Sequence, residues 1–380
     1  MTQINSDSRK YNIGVLTPPI ETAGIIPLSN LMEILKSISN DLYLLTGAAG
    51  FNYFKNSNRI NTYRINFSPG ATTFTRIIKF MFFQINESRK IFGLSNKVEY
   101  WFFFFSAEFQ LFPIIIARLC RKKVIIIVTG SSIKTLEFQD DYLRVGLKII
   151  CIFACLFAKK IIFYSKNLIK EYNFEMWNKK NLIAHEHFLD FTTFTVTTPY
   201  KDRPPLIGYI GRLSAEKGVQ HFAQALPATL RNQQDLRVLI GGDGQLKDAI
   251  EASLQETGVA NHVDLPGWIS RDNLPKYLNQ IRLLVLPSYT EGLPNIMLEA
   301  MACGTPVLAT PVGAIPDVIR DGETGFIMRD NSPECIARSV LRALSDPNLH
   351  EVAERGRRFV EEEFTFEKTV KQWKEILELV

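Results

Sequence analysis

The chain has 380 residues, of which 46% are hydrophobic and 22% are charged. This length and composition predict two globular domains, each with its own core, and exclude a fibrous or disordered protein. The formal net charge of +5 is unevenly distributed, because residues 1–200 carry 24 Lys and Arg against 14 Asp and Glu, whereas residues 201–380 carry 20 against 25. We expect only the basic half to face an anionic partner such as lipid headgroups, although a merely solvated basic surface is an equal alternative.

The start of the chain and its cysteines bear on the compartment. Residues 1–10 are polar and precede a strand-like run, so we expect no signal peptide and a cytoplasmic protein. The five cysteines include no CxxC pair, which favours reduced thiols. The longest uncharged apolar stretch, residues 149–158, has about half of the ~20 residues that cross a bilayer, and we expect it to form a buried helix.

The first half of the chain alternates short β-rich runs with helix-length segments, as βαβ units do. The opening elements are a predicted strand at 11–17, a helix at 26–39 and a strand at 41–47. Apolar runs without polar alternation predict further parallel strands, covered on both faces, at 98–105, 122–130 and 158–165. Residues 1–187 therefore predict a Rossmann-like, doubly wound α/β domain.

One segment of this half, "FTRIIKFMFFQINESRK" at residues 74–90, mixes bulky apolar side chains with cations. The cations are Arg76, Lys79, Arg89 and Lys90. A helix of this composition is suited to lie in the interface of an anionic membrane, as a peripheral contact. A helix that packs its aromatic side on the sheet is an equal alternative.

The second half begins after a change in composition. Residues 188–203 are rich in Thr and Pro and lack helical or strand periodicity, which predicts a linker. Residues 204–365 predict a second α/β domain, with strands at 204–211, 235–242, 262–267, 281–288, 305–310 and 324–328. The fold class is therefore α/β, with two facing doubly wound domains. Because parallel sheets bind ligands beyond the carboxyl ends of their strands, we expect the site in a cleft between the domains.

Two carboxylates stand in apolar surroundings in "YTEGLPNIMLEAMACGTPV", residues 289–307. Glu291 falls in the turn after a predicted strand, and Glu299 falls inside a predicted helix that begins near Pro294. A buried, unpaired carboxylate is costly, so Glu299 requires a partner. A salt bridge is the ordinary partner of a single Glu. With Gly292 in the adjacent turn and helix N–H groups nearby, the hydroxyl groups of a nucleotide sugar are the better guests.

A second strand end, "GYIGRLSAEKGV" at residues 208–219, places cations at the same edge. Gly211 ends the strand, and Arg212 and Lys217 follow it. A planar guanidinium and a compact ammonium suit the two phosphoryl groups of a diphosphate, although surface charge is the ordinary alternative for each cation alone. Gly242, in "IGGDGQLKD", belongs to a tight turn that lines the same pocket; this stretch by itself is a weak phosphate-loop signal.

The sequence contains no DxD pair of aspartates, which commonly signals a metal in sugar transferases. We therefore expect chemistry without a metal and without a cofactor other than a nucleoside diphosphate sugar as co-substrate. Arg212 and Lys217 would then neutralise the charge that develops on the departing diphosphate.

The second half resembles the donor domain of the family-4 retaining glycosyltransferases, which have the two-domain GT-B fold. The resemblance rests on "GRLSAEKGV", "IGGDGQ", "EGLPNIMLEAMACGTPVLAT" and "GAIPDVIRDGETGFI". It implies that Arg212 and Lys217 hold the diphosphate, and that Glu291 and Glu299, an E-x7-E pair, hold the sugar and the ribose hydroxyls respectively. The catalytic set is then Arg212, Lys217 and Glu291. The remaining donor-binding positions are Gly24, Gly211, Gly242, Gly292, Leu293, Pro294, Asn295 and Glu299.

The first half is a looser match, which implies that this domain is on the acceptor side. "GVLTPPIETAGI" is similar to the family's first strand and glycine loop, with the single Gly24 where a glycine pair is frequent. Thr129, in "KKVIIIVTGSS" at residues 122–132, stands where many members have a histidine that contacts the sugar. The resemblance also implies that a helix at 366–380 crosses back onto the first domain with Trp373 as its anchor; packing on its own domain is the alternative.

We therefore predict a retaining glycosyltransferase of the hexosyltransferase type, active in polysaccharide biosynthesis. It would move a sugar from a nucleoside diphosphate sugar to a hydroxyl of a glycan or a lipid-linked glycan. The predicted setting is cytoplasmic, with a peripheral membrane contact and no nucleic-acid partner. A sugar-nucleotide epimerase of the same fold and a non-catalytic carbohydrate-binding relative are the alternatives. The donor sugar, its base and the acceptor have no legible signature in the sequence.

Overall fold

The computed structural model describes residues 11–20, 24–68, 70–105, 109–130 and 144–380, which form two compact units. The first unit comprises the described residues up to Tyr164, together with Tyr172–His187 and Phe366–Val380. The second unit comprises Ser165–Glu171 and Phe188–Thr365. Parts of the sequence interpretation concern residues 1–10, 21–23, 131 and 132, which lie outside the described residues.

Strands and helices alternate along the chain. The strands of the described residues are β1 Tyr11–Leu16, β2 Ser39–Thr46, β3 Ile60–Arg64, β4 Tyr100–Phe103, β5 Lys123–Val128, β6 Lys160–Phe163, β7 Asn181–Ile183, β8 Leu206–Ile210, β9 Arg237–Gly241, β10 Val263–Gly267, β11 Leu283–Leu286, β12 Val307–Ala309 and β13 Phe326–Ile327. Their α-helices are α1 Ile25–Ile38, α2 Ala48–Phe54, α3 Thr73–Gly93, α4 Leu111–Leu119, α5 Arg144–Phe157, α6 Lys166–Glu171, α7 Val219–Asn232, α8 Lys247–Glu256, α9 Leu274–Leu278, α10 Asn295–Ala302, α11 Ile315–Val318, α12 Pro333–Leu344, α13 Leu349–Glu363 and α14 Phe366–Glu378.

Each unit is built on one parallel sheet. The strand order is β3-β2-β1-β4-β5-β6-β7 in the first unit and β10-β9-β8-β11-β12-β13 in the second. In both sheets the order reverses beside the first strand of the unit, which is the doubly wound arrangement. The predicted α/β class with two doubly wound domains is therefore confirmed. The predicted strands end within two residues of the observed ones, because uninterrupted apolar runs are a clear signal for strands covered on both faces.

The cores follow from this covering of both faces. Val15 and Leu16 of β1 are both fully buried although they point to opposite faces of the sheet. In the second unit, Phe222 of α7 and Val340 of α12 belong to one buried cluster with β8 and β9. The sheets are thus rigid frames whose strand ends can hold loops in place.

Residues 188–203, predicted as a linker, belong to the second unit. Asn279 Oδ1 accepts the N–H of Thr197 at 2.7 Å. Arg203 is 2% exposed and donates to the backbone carbonyl of Cys303 at 2.6 Å. Burial lowers the pKa of Arg203 to about 10. Polar contacts therefore hold much of this segment, and such contacts leave no hydrophobic periodicity in a sequence.

The last helix, α14, belongs to the first unit. Trp373 is fully buried, and its Nε1 donates to the carbonyl of His185 at 2.9 Å. Its ring centroid lies 5.7 Å from that of Phe102 on β4. The end of the chain therefore contributes to the core of the unit in which the chain begins.

The prediction of a buried helix at 149–158 is wrong. α5 covers this stretch, but Ile149 is 51% exposed and Phe153 is 48% exposed, whereas Cys151 and Cys155 face inward. A short run of apolar residues does not reveal whether one side or both sides of a helix are covered. None of the helices in the described ranges is both long and apolar enough to span a bilayer.

Candidate functional site

The candidate site lies at one edge of the second sheet. β8 is flanked by β9 and β11, and all three run parallel, so their carboxyl ends meet at the same edge. The strand order reverses between β8 and β11, which makes this edge a topological switch point. The loops that follow these strands carry most of the residues singled out from the sequence.

Lys217 and Glu291 form an ion pair between two of these loops. Lys217 Nζ lies 2.8 Å from both carboxylate oxygens of Glu291, and Ser288 Oγ donates to Oε1 at 2.7 Å. The Lys217 side chain is 24% exposed and that of Glu291 is 9% exposed. An ammonium has three donors, so one donor of Lys217 is left for a further acceptor. Glu291 thus fixes the ammonium at the strand edge.

Arg212 lies on the same loop as Lys217 but is held much more loosely. Its side chain is 64% exposed, and Nη1 lies 3.6 Å from Glu216 Oε1. Ser214 Oγ donates to the same Glu216 oxygen at 2.6 Å. An exposed pair at this distance contributes well under about 1 kcal/mol. The guanidinium is therefore free to reorient toward a stronger acceptor.

Backbone contacts join the two loops. The N–H of Tyr289 donates to the carbonyl of Glu216 at 2.9 Å. Tyr209, on β8, donates its hydroxyl to the carbonyl of Arg212 at 2.6 Å, and burial raises the pKa of the Tyr209 hydroxyl. A neutral tyrosine donor therefore helps to fix the path of the cation loop.

Two of the predicted glycines lie where these loops approach each other. Gly211 donates its N–H to Gly241 at 3.0 Å. Gly242 has φ 135°, and a Cβ on it would lie 1.8 Å from the carbonyl oxygen of Gly211. A side chain at position 242 would therefore drive the loops apart, which explains the glycine there.

The turn before α10 holds the remaining predicted positions of this edge. Pro294 is the N-cap residue, with extended backbone and no side-chain cap, and Asn295 begins the helix. Leu293 is 6% exposed and Gly292 accepts the N–H of Ala314 at 2.7 Å. The first turn of α10 thus presents backbone N–H groups without a side-chain acceptor of its own.

Glu299 has a charged partner that the sequence interpretation missed. Arg271 Nη1 donates to Glu299 Oε1 at 2.8 Å, and Glu299 is 4% exposed. Burial raises the pKa of the Glu299 carboxyl, and Arg271 opposes that rise. The Arg271 guanidinium also lies over the ring of Phe194, 5.1 Å from its centroid. Its position four residues after β10 is the signal that could have identified it, because β10 ends at the same edge of the sheet.

A second missed contact brings the middle of the chain to this edge. Gly313 has φ 61°, and a Cβ on it would lie 2.2 Å from the carbonyl oxygen of Glu291. The Gly313 carbonyl accepts from Asn167 Nδ2 at 2.9 Å, and the Gly313 N–H donates to Glu171 Oε1 at 2.9 Å. α6, which carries both side chains, therefore supports the loop that backs Glu291. These contacts span more than 140 residues, and no local pattern reveals them.

Two residues of the sequence interpretation belong to the first unit. Gly24 precedes α1 with φ −80°, a conformation that does not require glycine. Thr129 follows β5 and is half-buried. The structure thus joins Arg212, Lys217, Glu291 and their glycines in one region of the second unit, and pairs Glu299 with Arg271. No group of three or more His, Cys, Asp or Glu side chains suited to a metal is found within the described ranges.

The second unit is similar to a known protein family. Residues 191–359 match the family model of glycosyl transferases group 1. This segment contains the ion pair, the cation loop and Glu299. The fold and this match together define the class: two doubly wound α/β units, of which the second is similar to glycosyl transferases group 1 over residues 191–359.

Curated relatives match the same half of the chain. An alpha-D-kanosaminyltransferase of Streptomyces kanamyceticus is 33% identical over 174 residues, 44% of this chain and 45% of that protein. An N-acetyl-alpha-D-glucosaminyl L-malate synthase of Bacillus anthracis is 33% identical over 169 residues, 44% of each chain. The chain thus matches less than half the length of these relatives.

Similarity over the whole chain is found at the level of structure. The crystal structure of Anabaena HepE, in complex with UDP and glucose, superposes with a TM-score of 0.77. The match covers 97% of this chain and 100% of that chain at 15% sequence identity. It establishes the fold of both units.

Proposed function

We propose that the protein is a retaining glycosyltransferase that uses a nucleoside diphosphate sugar as its donor and needs no metal. The observation that carries the proposal is the Lys217–Glu291 ion pair at the switch point of the second sheet, beside the Arg212 loop. The pair lies inside the segment similar to glycosyl transferases group 1.

The cations suit the diphosphate of such a donor. Lys217 is fixed by Glu291 and keeps one donor for an anion. Arg212 is bound only weakly to Glu216, so turning toward a phosphate costs little. The N–H groups at the start of α10 add partial positive charge at the same edge. Together they would stabilise the negative charge that develops on the leaving diphosphate.

The carboxylates suit the hydroxyl groups of the donor. Glu291 accepts hydrogen bonds from Lys217, and Glu299 accepts one from Arg271. An ionised carboxylate has about four acceptor sites in all, so each keeps sites for further donors. Each can therefore accept hydroxyl hydrogen bonds while keeping its cation. We assign the sugar to Glu291 and the ribose to Glu299, in keeping with the E-x7-E resemblance.

The reaction we propose proceeds on one face of the sugar. The bond between the anomeric carbon and the diphosphate oxygen breaks, and a bond from that carbon to the acceptor oxygen forms on the same face. The acceptor hydroxyl gives its proton to an oxygen of the departing diphosphate. Lys217 and Arg212 hold that diphosphate in place while the charges separate.

Names of similar proteins support the class without selecting the substrates. Anabaena HepE was crystallised with UDP and glucose, which favours a uridine nucleotide among the first donors to test. The curated relatives transfer different sugars to different acceptors, according to their names. A glycan or lipid-linked glycan is the proposed acceptor. None of these names points to an epimerase.

The test is nucleotide release from a panel of nucleoside diphosphate sugars, with and without glycan acceptors. A transferase releases nucleotide only when a suitable acceptor is added, and Lys217→Ala should lower the rate by roughly 100-fold or more. Lys201→Ala removes an exposed ammonium of the same unit and serves as the matched control. Release that needs no acceptor, or a Lys217→Ala variant as fast as the control, would refute the proposal.

A further inference from the structure

Exposed apolar side chains are concentrated on three helices of the first unit. Of the nineteen large apolar residues of the described ranges that are exposed, fourteen belong to α3, α4 or α5. They are Phe74, Ile77, Ile78, Met81, Phe82, Ile85, Phe92, Leu119, Val145, Ile149, Ile152, Phe153, Leu156 and Phe157. Single exposed apolar residues are ordinary, but a cluster of this size marks a surface that meets another apolar phase.

α3 exposes many apolar side chains and buries several polar ones, unlike an ordinary surface helix. Its exposed side includes Phe82, which is 63% exposed, and Ile78, which is 37% exposed. Its buried side is mixed, because Gln84, Glu87 and Ser88 are buried together with Phe83 and Ile91. A helix that buries polar groups and exposes aromatic ones loses hydrophobic stabilisation in water. This hydrophobic stabilisation is regained only if another apolar surface covers the outer side of the helix.

α5 presents a second stripe of the same kind. Val145, Ile149, Ile152, Phe153 and Leu156 are exposed at spacings of three and four, so they lie on one side of the helix. The opposite side packs inward. Both stripes run along the length of their helices, and α3, with 21 residues, is about 30 Å long.

α4 lies between these two helices and packs against both. Between α3 and α4 is an apolar groove of about 510 Å³. Its lining residues include Ile85, Phe92, Phe112 and Ile116, with Arg89 as the charged member. The two stripes and the groove therefore belong to one surface, which we call the α3–α5 surface and define by the fourteen residues above.

Among the described side chains of α3, α4 and α5, the exposed charges are all positive. Arg76, Lys79 and Arg89 on α3, Arg118 on α4 and Lys148 on α5 are exposed. The described side chains of these helices include one carboxylate, Glu87, which is 1% exposed. Burial raises the pKa of Glu87 to about 7, so even this group is protonated for about half of the time near neutrality.

A basic pocket of about 420 Å³ adjoins the α5 stripe and shares Leu156 and Phe157 with it. Its cationic lining consists of Arg118, Lys159, Lys160, Lys179 and Lys180. Lys180 Nζ donates to the carbonyl of Leu156 at 2.7 Å, which fixes one ammonium at the end of α5. The pocket thus places several donors for phosphate oxygens next to apolar side chains.

We propose that the α3–α5 surface docks on an anionic lipid bilayer, with its apolar stripes in the headgroup–acyl boundary and the basic pocket on lipid phosphates. The positive charge of the described side chains on these three helices favours this occupant over a second copy of the chain, which would bring like charges together. Aromatic and aliphatic side chains with flanking Lys and Arg are the composition that binds such an interface. The inference is independent of the proposed glycosyl transfer.

Sedimentation of the full chain with vesicles tests this inference. We expect binding to vesicles that contain phosphatidylglycerol, weak binding to pure phosphatidylcholine, and loss of binding as salt is raised. The double variants Ile78→Gln/Phe82→Gln and Ile149→Gln/Phe153→Gln should each weaken partitioning at least tenfold. Trp268→Gln, which changes a 72% exposed residue of the other unit, is the matched control and should bind as the wild type does.

Further experiments test the basic pocket and the alternative occupant, a second copy of the chain. Lys159→Gln/Lys179→Gln should weaken binding to anionic vesicles by roughly fivefold for each charge removed, and leave binding to phosphatidylcholine unchanged. No binding of wild type to anionic vesicles at low salt overturns the proposal, and so does equal binding by folded apolar variants. A dimer in solution that these variants convert to monomer would assign the surface to a second copy instead.

Discussion

Arg271 Nη1 lies 2.8 Å from Glu299 Oε1, and this contact gives a counter-charge to a carboxylate that is 4% exposed. Arg271→Ala removes the counter-charge and leaves the carboxylate buried. Because the Arg271 side chain is 47% exposed and screened by water, we expect a loss of roughly 1–2 kcal/mol in the free energy of unfolding, less than for a fully buried pair. Urea denaturation measures it.

The pH dependence of that loss has a definite sign. Burial already raises the pKa of Glu299, and without Arg271 the pKa rises further. The folded variant then holds a proton that the unfolded chain releases, so its stability falls as pH rises through the shifted pKa. The double variant Arg271→Ala/Glu299→Gln should be less pH-dependent than Arg271→Ala. Equal pH profiles would show that Glu299 is not the source of the pH dependence.

Replacing Gly313 tests the support behind Glu291. In Gly313→Ala the new Cβ would lie 2.2 Å from the Glu291 carbonyl oxygen in a left-handed conformation. We expect lower stability and, because the Glu291 loop must move, lower affinity for nucleoside diphosphates. Gly258→Ala is the control, since Gly258 has φ 73° and no atom within 4 Å of the added Cβ.

The control should lose only the backbone penalty of about 1–2 kcal/mol and keep full ligand affinity. If Gly313→Ala lost no more stability than Gly258→Ala and bound ligand equally well, the loop behind Glu291 would be more adaptable than the contact implies.

Replacing Trp373 tests how much α14 contributes to the stability of the first unit. Trp373→Ala removes a fully buried ring that packs near Phe102 and donates to His185. We expect a loss of about 3–5 kcal/mol in the free energy of unfolding, measured in urea. Trp268→Ala, at a position that is 72% exposed, should change it by less than about 0.5 kcal/mol. Similar losses for both variants would argue against a structural role for α14.

Glu87, in the first unit, should make the free energy of unfolding depend on pH. Its folded pKa of about 7 lies above the ordinary value of 4.5, because burial disfavours the charged form. Between these values the folded protein holds a proton that the unfolded chain has released. The free energy of unfolding therefore falls as pH rises from about 4.5 to 7, by up to about 3 kcal/mol.

Glu87→Gln removes this titration. The variant should be more stable than the wild type at pH 8 and nearly equal to it at pH 4.5, by urea denaturation at each pH. A variant that is less stable at pH 8 would mean that the carboxylate has a favourable partner when ionised.

Most strands of the two sheets were predictable from the sequence. The edge strands β3 and β7, which have no buried residues, were not predicted, and neither was the coverage of some helices. Strands of a doubly wound fold are covered on both faces, so their apolar runs are unambiguous. For α5 a similar apolar run led to a wrong prediction. The sequence of a helix does not show whether other parts of the protein cover its outer side. For α3 the composition of residues 74–90 left two alternatives, and burial of Gln84 and Glu87 decides which side faces outward.

The candidate site was predictable only in part, for a similar reason. Arg212, Lys217 and Glu291 follow strand ends, and parallel strands bring such ends together. The pairing of Lys217 with Glu291, across 74 positions of the chain, follows from how the loops fold on each other. Arg271 was missed because a single arginine in a turn resembles ordinary surface charge, although its position just after β10 places it at the same edge of the sheet.

The central claim, that Lys217 and Arg212 hold the diphosphate of a donor, is tested most directly by ligand affinity. Calorimetric titration of uridine, guanosine, adenosine and thymidine diphosphates requires no knowledge of the acceptor. We predict that one of them binds the wild type and Lys201→Ala equally well, and binds Lys217→Ala and Arg212→Ala roughly 10–100-fold more weakly. A nucleoside diphosphate that binds all four proteins with the same affinity would contradict the claim.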